Sequence, residues 1–422
     1  MSQTLPTPNA PLHALPRSLS HPMLSHPLPS IARITDMELK GKLLFLRLDL
    51  NVPLSEPDSE GERTILDDSR IVEALPTIQY AIEQGARILI ASHLGRPDGK
   101  VKAEFSLEPV AQYLAKNLDV AITLADDCVG DGIRLMANTL KDGQILMLQN
   151  LRFHAGEEAN DPDFAHALAR LADVYVTDAF GTSHRKHAST YGVPALMPVK
   201  GMGYLLEKEI RFLDLLLEQP EKPFYLLLGG AKVSDKLKTI QALMRNLNGI
   251  AVGGAMAFAF LEAQGTKTPD GAKQPKPEDV ESAKLLLAEA KRKNIPLLLP
   301  EDTHDGFDIG PKSIAHFSRF LADARTLFWN GPLGWFEKPE YSQGTFEVAK
   351  AIAGYDCFKV VGGGDTVSAV KQSGLADRFD HLSTGGGAAL EYLEGNSLPG
   401  IDILKRKISA RKSESPKLDP LS

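Results

Sequence analysis

The chain has 422 residues, 43% of them apolar and 24% charged, and a formal net charge of −7, the profile of a globular protein of about two or three domains. That balance excludes a general polyanion binder, so any anion site must be a local concentration of cations. No run approaches the ~18–20 apolar residues of a membrane span, and the two cysteines, Cys128 and Cys357, exclude a disulfide framework and point to a reducing compartment, the cytoplasm.

In chain order, residues 1–31 are rich in Pro, Ser and Leu, contain no acid and carry Arg17 as their only Lys or Arg. They are expected to form a disordered extension rather than a secretory signal or transit helix, with Met23 and Met37 as alternative starts. From residue 42 onward, Leu-rich and β-branched runs alternate with amphipathic stretches at 69–84, 107–117, 163–171, 234–245 and 277–293. The alternation predicts an α/β fold of parallel sheets with helices on both faces. It breaks at 188–222, where 193–198 reads as loop and 203–218 as one long helix closed by Pro220. Leu206, Ile210, Leu213 and Leu217 would share a face of that helix. The expected organisation is a domain over 32–200, a linker helix over 201–220, a second domain over 221–389 and a flexible basic tail over 409–422.

The apolar runs end in different chemistry in the two halves. In the first half they end in cations: Arg47 with Asp49 and Asn51, His93-Leu94-Gly95-Arg96, Arg152, and His184-Arg185. Guanidinium forks suit carboxylate and phosphate, so these groups, with Arg70, fit a ligand carrying several negative charges. Asp49 and Asn51 can share hydrogen bonds with a hydroxyl. In the second half the runs end in glycine: Gly229-Gly230 leading to Lys232 and Lys236, Gly253-Gly254, and Gly362-Gly363-Gly364-Asp365-Thr366. Such turns let backbone N–H groups face phosphate, and the two lysines, four apart, would lie on one helix face. Asp365 is placed to hold magnesium, and Glu337, beyond Trp329-Asn330-Gly331-Pro332, to bind ribose hydroxyls. Trp329 and Trp335 read as core. The spacing is not that of a P-loop, no zinc spacing or nucleophile elbow occurs, and nothing points to nucleic acid.

These motifs together resemble phosphoglycerate kinase over about residues 33–404. They include Arg47-Leu48-Asp49-Leu50-Asn51, Ser92-His93-Leu94-Gly95-Arg96-Pro97, Asn150-Leu151-Arg152-Phe153, Asp178-Ala179-Phe180-Gly181-Thr182, Gly229-Gly230-Ala231-Lys232-Val233, Asp308-Ile309-Gly310-Pro311 and Ser383-Thr384-Gly385-Gly386-Gly387. The resemblance implies two doubly wound, Rossmann-like domains joined by a hinge helix, with a segment over 390–408 returning to the N-terminal domain. It implies a cytoplasmic monomer that transfers phosphoryl between Mg-ATP and the carboxylate of 3-phosphoglycerate in glycolysis and gluconeogenesis, with domain closure. By resemblance Asp49, Asn51, Arg70, His93, Leu94, Gly95, Arg96, Arg152, His184 and Arg185 hold the phosphoglycerate, and Arg47 and Lys232 serve the transferring group. Gly230, Lys236, Gly253, Gly310, Asn330, Glu337, Gly363, Gly364, Asp365 and Thr366 belong to the nucleotide side, Asp365 with magnesium. Two positions depart from the family pattern: Gln149 stands where Glu is usual, and Ala255 where a third glycine is. Two other classes compete, a non-catalytic nucleotide binder and a kinase for another small carboxylate.

Overall fold

Successive side chains of a strand face opposite ways, so a strand buried on both faces reads as a continuous apolar run. Leu43–Arg47 (β1) is such a strand: Leu43 and Phe45 enter one core cluster, and Leu44 and Leu46 enter another across the sheet. The protein is described by a computed structural model over residues 31–269 and 271–405. β1 pairs in parallel with Arg87–Ala91 (β2) and Val174–Thr177 (β5). Ile122–Leu124 (β3), Ile145–Met147 (β4) and Lys200–Met202 (β6) complete a six-stranded sheet of order β3-β4-β2-β1-β5-β6.

A second six-stranded parallel sheet is built from Phe224–Leu228 (β7), Gly249–Val252 (β8), Leu297–Leu298 (β9), Thr326–Asn330 (β12), Phe358–Gly362 (β13) and His381–Leu382 (β14). Its order, β14-β13-β12-β7-β8-β9, is that of a doubly wound dinucleotide fold. Thr303–His304 (β10) and Asp308–Ile309 (β11) form a small antiparallel pair beside it. In both sheets the winding reverses once, between β1 and β5 and between β7 and β12. Those two crevices are where ligands bind in open α/β sheets.

The helix Tyr204–Glu218 joins the two halves and buries Leu206, Ile210, Phe212, Leu213, Leu215 and Leu216 in a core shared by both sheets. Its first turn leaves backbone N–H groups to satisfy. Asp178, at the end of β5, accepts from Leu206 N at 2.8 Å and from Thr77 Oγ1 at 2.5 Å, and Thr77 Oγ1 in turn accepts from Tyr204 N at 3.0 Å. Burial outweighs these bonds and pushes the Asp178 carboxyl up to about 7. One turn on, buried Glu209 accepts from His381 Nε2 (3.0 Å), Ser383 Oγ (2.8 Å) and Thr384 N (2.8 Å). Phe212 stacks on His381 at 4.3 Å. The N-terminal half of the connector is thus bonded both to the end of β5 and to the loop after β14.

Four expectations from sequence change here. The stretch 193–198 is not all loop: Val193–Leu196 is a short helix, with Pro194 in its first turn where no N–H is needed. The linker does not begin at 201, because Gly201 and Met202 belong to β6, a strand whose Lys-Gly-Met sequence carries no strand signal. Ile31, placed in the extension, is buried in the core at 7% exposure, and the rest of the expected disordered segment lies outside the described residues, as does the 409–422 tail. The boundary at 390 falls inside the helix Gly387–Leu393. Beyond that helix, Gly400 N donates to Ser183 O at 2.9 Å and Leu398, Ile401 and Leu404 are buried, so the chain returns to the segment that follows β5 of the first sheet; residues 406–408 lie outside the described ones.

Candidate active site

The crevice between β1 and β5 holds a cavity of about 170 Å³ lined by Asp49, Asn51, Arg70, His93, Gly95, Arg96, Arg152 and Arg185, together with Gly181 and Thr182. Strand ends supply nearly all of it: Asp49 and Asn51 follow β1, His93 to Arg96 follow β2, Arg152 follows β4, and Gly181 to Arg185 follow β5. Arg70 comes from the first turn of the helix Ser69–Glu83. Asp49 accepts from Arg70 Nη1 at 2.8 Å, and Asn51 Oδ1 accepts from Gly95 N at 2.8 Å. Arg152 Nη1 donates to Gly95 O at 2.8 Å, while its Nε lies 3.1 Å from Glu158 without the alignment of a hydrogen bond.

The pocket is crowded with positive charge. Burial, and then Arg185 and Arg47, pull Arg152 below the ordinary guanidinium range against the opposing pull of Glu158. His187 is lowered to about 4 by burial and then by Arg152, Arg47 and Arg185. A neighbourhood that disfavours further cations is one that favours an anion.

Three residues assigned to this site from sequence do not line it. Arg47 is buried to 1% beneath the pocket, where Nη1 donates to Leu48 O, Nε donates to Ser189 Oγ and Nη2 lies 3.3 Å from His93 Nδ1. Leu94 is buried and its backbone is held by Asn150. His184 sits behind Arg185, whose Nε donates to its Nε2 at 3.3 Å. Gly181 and Thr182 were in a quoted motif but were not assigned; their position after β5 was the available signal.

The crevice between β7 and β12 is knitted by backbone. Gly229 N donates to Asn330 O at 3.0 Å, Gly230 N to Pro332 O at 2.8 Å, and Gly254 N to Leu333 O at 3.0 Å. Gly230 and Gly363 both take φ of +87°, a region that favours glycine. Gly253 is buried against Leu333 and beside Ile309, which places Gly310 at the same edge. Gly363 and Gly364 lead into the helix Gly364–Gln372, and Asp365 lies exposed in its first turn.

Several expectations are refined on this side. Lys232 and Lys236 do not share a helix face, because the helical turn starts only at Ser234. Lys236 turns inward and donates to Gly229 O (2.9 Å) and Asn330 O (3.0 Å), whereas Lys232 points outward, 3.7 Å from Asp235 and 54% exposed. Thr366 is fully buried and its Oγ1 accepts from Gly331 N at 2.6 Å, which secures the turn. Glu337 is exposed on the turn that follows, with no hydrogen bond or ion pair among the described residues. Trp329 is core, but Trp335 is 43% exposed beneath Lys338, whose Nζ lies 3.8 Å from the ring centroid. Both family departures are accommodated. Gln149 keeps an acceptor for Leu107 N and Asn150 N and donates to Ser106 Oγ, and Ala255 has φ of −63°, which needs no glycine.

The second unit reaches the border of the anion pocket. A Cβ built on Gly181 would meet Asp49 Oδ2 at 2.9 Å and Thr384 O at 3.5 Å, so the loop after β14 borders the anion pocket. Lys371, at the end of the helix carrying Asp365, bonds Ser69 Oγ and lies 4.0 Å from Asp67, next to Arg70. One cluster outside both crevices, Asp127, Cys128 and His154, brings ligand atoms within 4.8 Å of one another, which sequence spacing had not shown. Its groups already have partners: His154 Nε2 is 2.5 Å from Asp127, and Cys128 Sγ donates to Gln149 O at 3.0 Å. Burial pushes the Cys128 thiol well up, and the cluster is hydrogen-bonded packing.

A family profile described as phosphoglycerate kinase matches residues 34–306 and 303–396. A phosphoglycerate kinase of Anaeromyxobacter sp. (strain Fw109-5) is 45% identical over 401 residues, covering 89% of this chain and 100% of the relative. One from Bdellovibrio bacteriovorus is 44% identical over 408 residues, covering 91% and 100%. Among solved structures, phosphoglycerate kinase from Coxiella burnetii is 38% identical with a TM-score of 0.78, covering 89% of this chain and 98% of that one. The enzyme from Pyrococcus horikoshii is 31% identical with a TM-score of 0.74, covering 88% and 98%. Two doubly wound sheets, a cationic crevice in one and a glycine-built crevice in the other, thus coincide with sequence and structural kinship: the chain belongs to the phosphoglycerate kinase family of phosphotransferases.

Proposed function

We propose that this protein transfers a phosphoryl group reversibly between Mg-ATP and the carboxylate of 3-phosphoglycerate, giving ADP and 1,3-bisphosphoglycerate, as a cytoplasmic monomer of glycolysis and gluconeogenesis. The observation that carries this reading is the pocket of four arginines and a histidine at the strand ends of the first sheet, in a chain whose second sheet carries a glycine-built crevice. In this reading the phosphoglycerate lies among Arg70, Arg96, Arg152, Arg185, His93, Asp49 and Asn51, and the nucleotide phosphates lie over the Gly229–Gly230 and Gly363–Gly364 turns.

Phosphoryl transfer requires in-line placement and neutralised charge on the equatorial oxygens; the substrate carboxylate is itself the nucleophile and needs no base. Lys232, exposed on the nucleotide side, Arg70, lining the anion pocket, and Arg47, at the end of β1 beneath it, are the charge stabilisers in this mechanism. The N-terminus of the helix Gly364–Gln372 offers backbone N–H groups to phosphate. Asp365 suits magnesium: it is exposed, has no hydrogen bond or ion pair among the described residues, and a lone carboxylate is what this ion takes beside water and phosphate. When bound with the nucleotide, the ion would supply further neutralisation of phosphate charge. Because the substrates lie on different sheets, the units over about 32–202 and 221–389 close about the Tyr204–Glu218 helix to align them and exclude water. Small-angle scattering with both substrates bound is expected to give a smaller radius of gyration than with either alone; an unchanged radius would contradict closure.

Arg152→Ala removes a charge-assisted contact of about 1.5–3 kcal/mol, so calorimetry is expected to show 3-phosphoglycerate binding weakened at least about tenfold. Unchanged affinity would remove the acid from this pocket, and a panel of small carboxylates would identify a different substrate. Lys236 gives a pH test. Burial lowers its ammonium to about 8 against the pull of Asp365 and Asp235. A nearby phosphate favours the charged form, so nucleotide binding takes up a proton above about pH 8 and none well below it. Calorimetry in buffers of different ionisation enthalpy should show this uptake, and Lys236→Met should abolish it.

A further inference from the structure

Asp308 opens the Asp308-Ile309-Gly310-Pro311 run, and the mechanism gives it no role. A carboxyl only 4% exposed must be bonded, and its bonds run to two elements. Oδ1 accepts from Ile309 N at 2.9 Å within β11, and Oδ2 accepts from Gly344 N at 2.6 Å. Gly344 lies in the first turn of the helix Gln343–Ala353, where N–H groups lack intrahelical acceptors. The local residue for that task does not perform it: the Ser342 hydroxyl donates to Pro339 O instead. Asp308 therefore caps this helix from another strand, a favourable place for negative charge. A Cβ on either Gly334 or Gly344 would collide with Asp308 Oδ1. Neither glycine takes positive φ, so both positions are required for room and not for conformation. The turn between them carries Trp335 and Glu337, and its entry residue, Leu333, reaches the nucleotide crevice. A Cβ on Gly253 would meet Leu333 Cδ2 at 2.8 Å and Ile309 Cγ2 at 3.5 Å, so the residues flanking Asp308 and Gly334 share one wall. Thr345 Oγ1, in the same helix turn, accepts from Leu333 N at 3.0 Å and from Gly334 N at 3.2 Å.

We propose that Asp308 is a positioning residue for the nucleotide: its carboxylate pins the start of the helix Gln343–Ala353 to β11 and so holds the intervening turn, with Leu333 and Glu337, as a wall of the nucleotide crevice. The proposal rests on the second crevice being the nucleotide site. A carboxylate accepts with both oxygens, whereas a protonated one turns an O–H toward one of the two N–H groups. Burial pushes the Asp308 carboxyl up to about 6, against the pull of its two hydrogen bonds and of His304. The grip is therefore complete above that value and loosens as pH falls through it. His304, opposite Asp308 in the β10–β11 pair, favours the charged form. The other charged groups on the surrounding elements are engaged or exposed: Asp305 lies beside His304, Asp302 is bonded to Ser313, Lys338 sits over the Trp335 ring, and Glu337 and Glu347 are exposed.

The test uses the full chain with fluorotryptophan at its two tryptophans, the Trp335 line being identified by its loss in Trp335→Phe. Trp335 N donates to Phe307 O at 2.9 Å, so this ¹⁹F line reports on the turn. Saturating Mg-ADP is expected to shift it. Without nucleotide the line should titrate with a midpoint of about 6, in the wild type and in His304→Gln alike. A line unmoved by Mg-ADP, or a titration that vanishes in His304→Gln, overturns the proposal. Asp308→Asn keeps the shape of the side chain but sets an NH2 against one of the two N–H groups. Calorimetry is expected to show Mg-ADP binding weakened about tenfold, the size of one lost charge-assisted hydrogen bond, while kcat and the KM for 3-phosphoglycerate stay near the wild-type values. A folded Asp308→Asn that binds Mg-ADP as tightly as the wild type, or that loses kcat and both affinities together, would contradict the role. The wild-type lines decide even where the variant fails to fold. Mg-ADP binding by a wild type that does not turn over 3-phosphoglycerate would refute the proposed reaction and leave the role of Asp308 standing.

Discussion

Replacing Lys232 by alanine is expected to lower kcat about 100- to 1,000-fold, the loss typical of one preorganised donor to a charged transition state. The KM for 3-phosphoglycerate and the melting temperature should stay near the wild-type values. The separation of effects follows from position. Lys232 is 54% exposed, its nearest charge partner Asp235 is 3.7 Å away and itself exposed, and no core atom depends on it. An exposed pair of this kind adds little to stability. Lys236, four residues on, has the opposite character: it is turned inward onto two carbonyls, and its removal should affect the Gly229 turn as well as the charge. Steady-state kinetics with calorimetric melting on Lys232→Ala and Lys236→Met separate the two roles. Loss of stability in Lys232→Ala, or unchanged kcat, would show that Lys232 is not a charge stabiliser.

Glu209→Ala is expected to cost about 3–5 kcal/mol of stability, the range for breaking a buried pair and leaving its partner behind. Glu209 and His381 are both buried to 1% or less, and the carboxylate also serves Ser383 Oγ and Thr384 N. Alanine would leave those donors without an acceptor and loosen the connector from the loop bordering the anion pocket. Glu209→Gln, which keeps one acceptor, should lose less. The pH dependence has a definite sign. Burial alone would raise the Glu209 carboxyl, but His381, Ser383 and Thr384 outweigh it and hold it below the usual value. Its contribution is therefore present above the unfolded carboxyl value and fades as pH falls through the lower folded one. Denaturant titrations of wild type and Glu209→Gln should converge toward the acid side; parallel curves would contradict this.

What was legible in the sequence is what a local pattern can encode. Apolar runs gave the buried strands, and polar clusters after them marked the strand ends where both crevices lie. Asp49, Asn51, His93, Arg96, Arg152 and Arg185 reach one cavity because each follows a central strand of the same sheet. β6 escaped because a Lys-Gly-Met strand owes its place to pairing with β5, and Gly201 packs against Ala32. The surroundings of Arg47 were not legible, because a cation at a strand end looks the same from sequence whether it faces the crevice or the core. Only Ser189 and Glu157, 142 residues or less away in sequence and in no motif, reveal which. The hold of Asp178 on the connector helix, although Asp178 opens a motif, and that of Glu209 were equally illegible. A helix cap donated by a preceding strand, and a carboxylate read by a loop 175 residues later, leave no local signature.

The measurement that tests the account most directly is turnover of the wild-type protein with Mg-ATP and 3-phosphoglycerate, read by reductive consumption of 1,3-bisphosphoglycerate. The account predicts turnover that requires both substrates and is abolished by omitting either. A folded protein that binds ATP and 3-phosphoglycerate yet makes no 1,3-bisphosphoglycerate would contradict it.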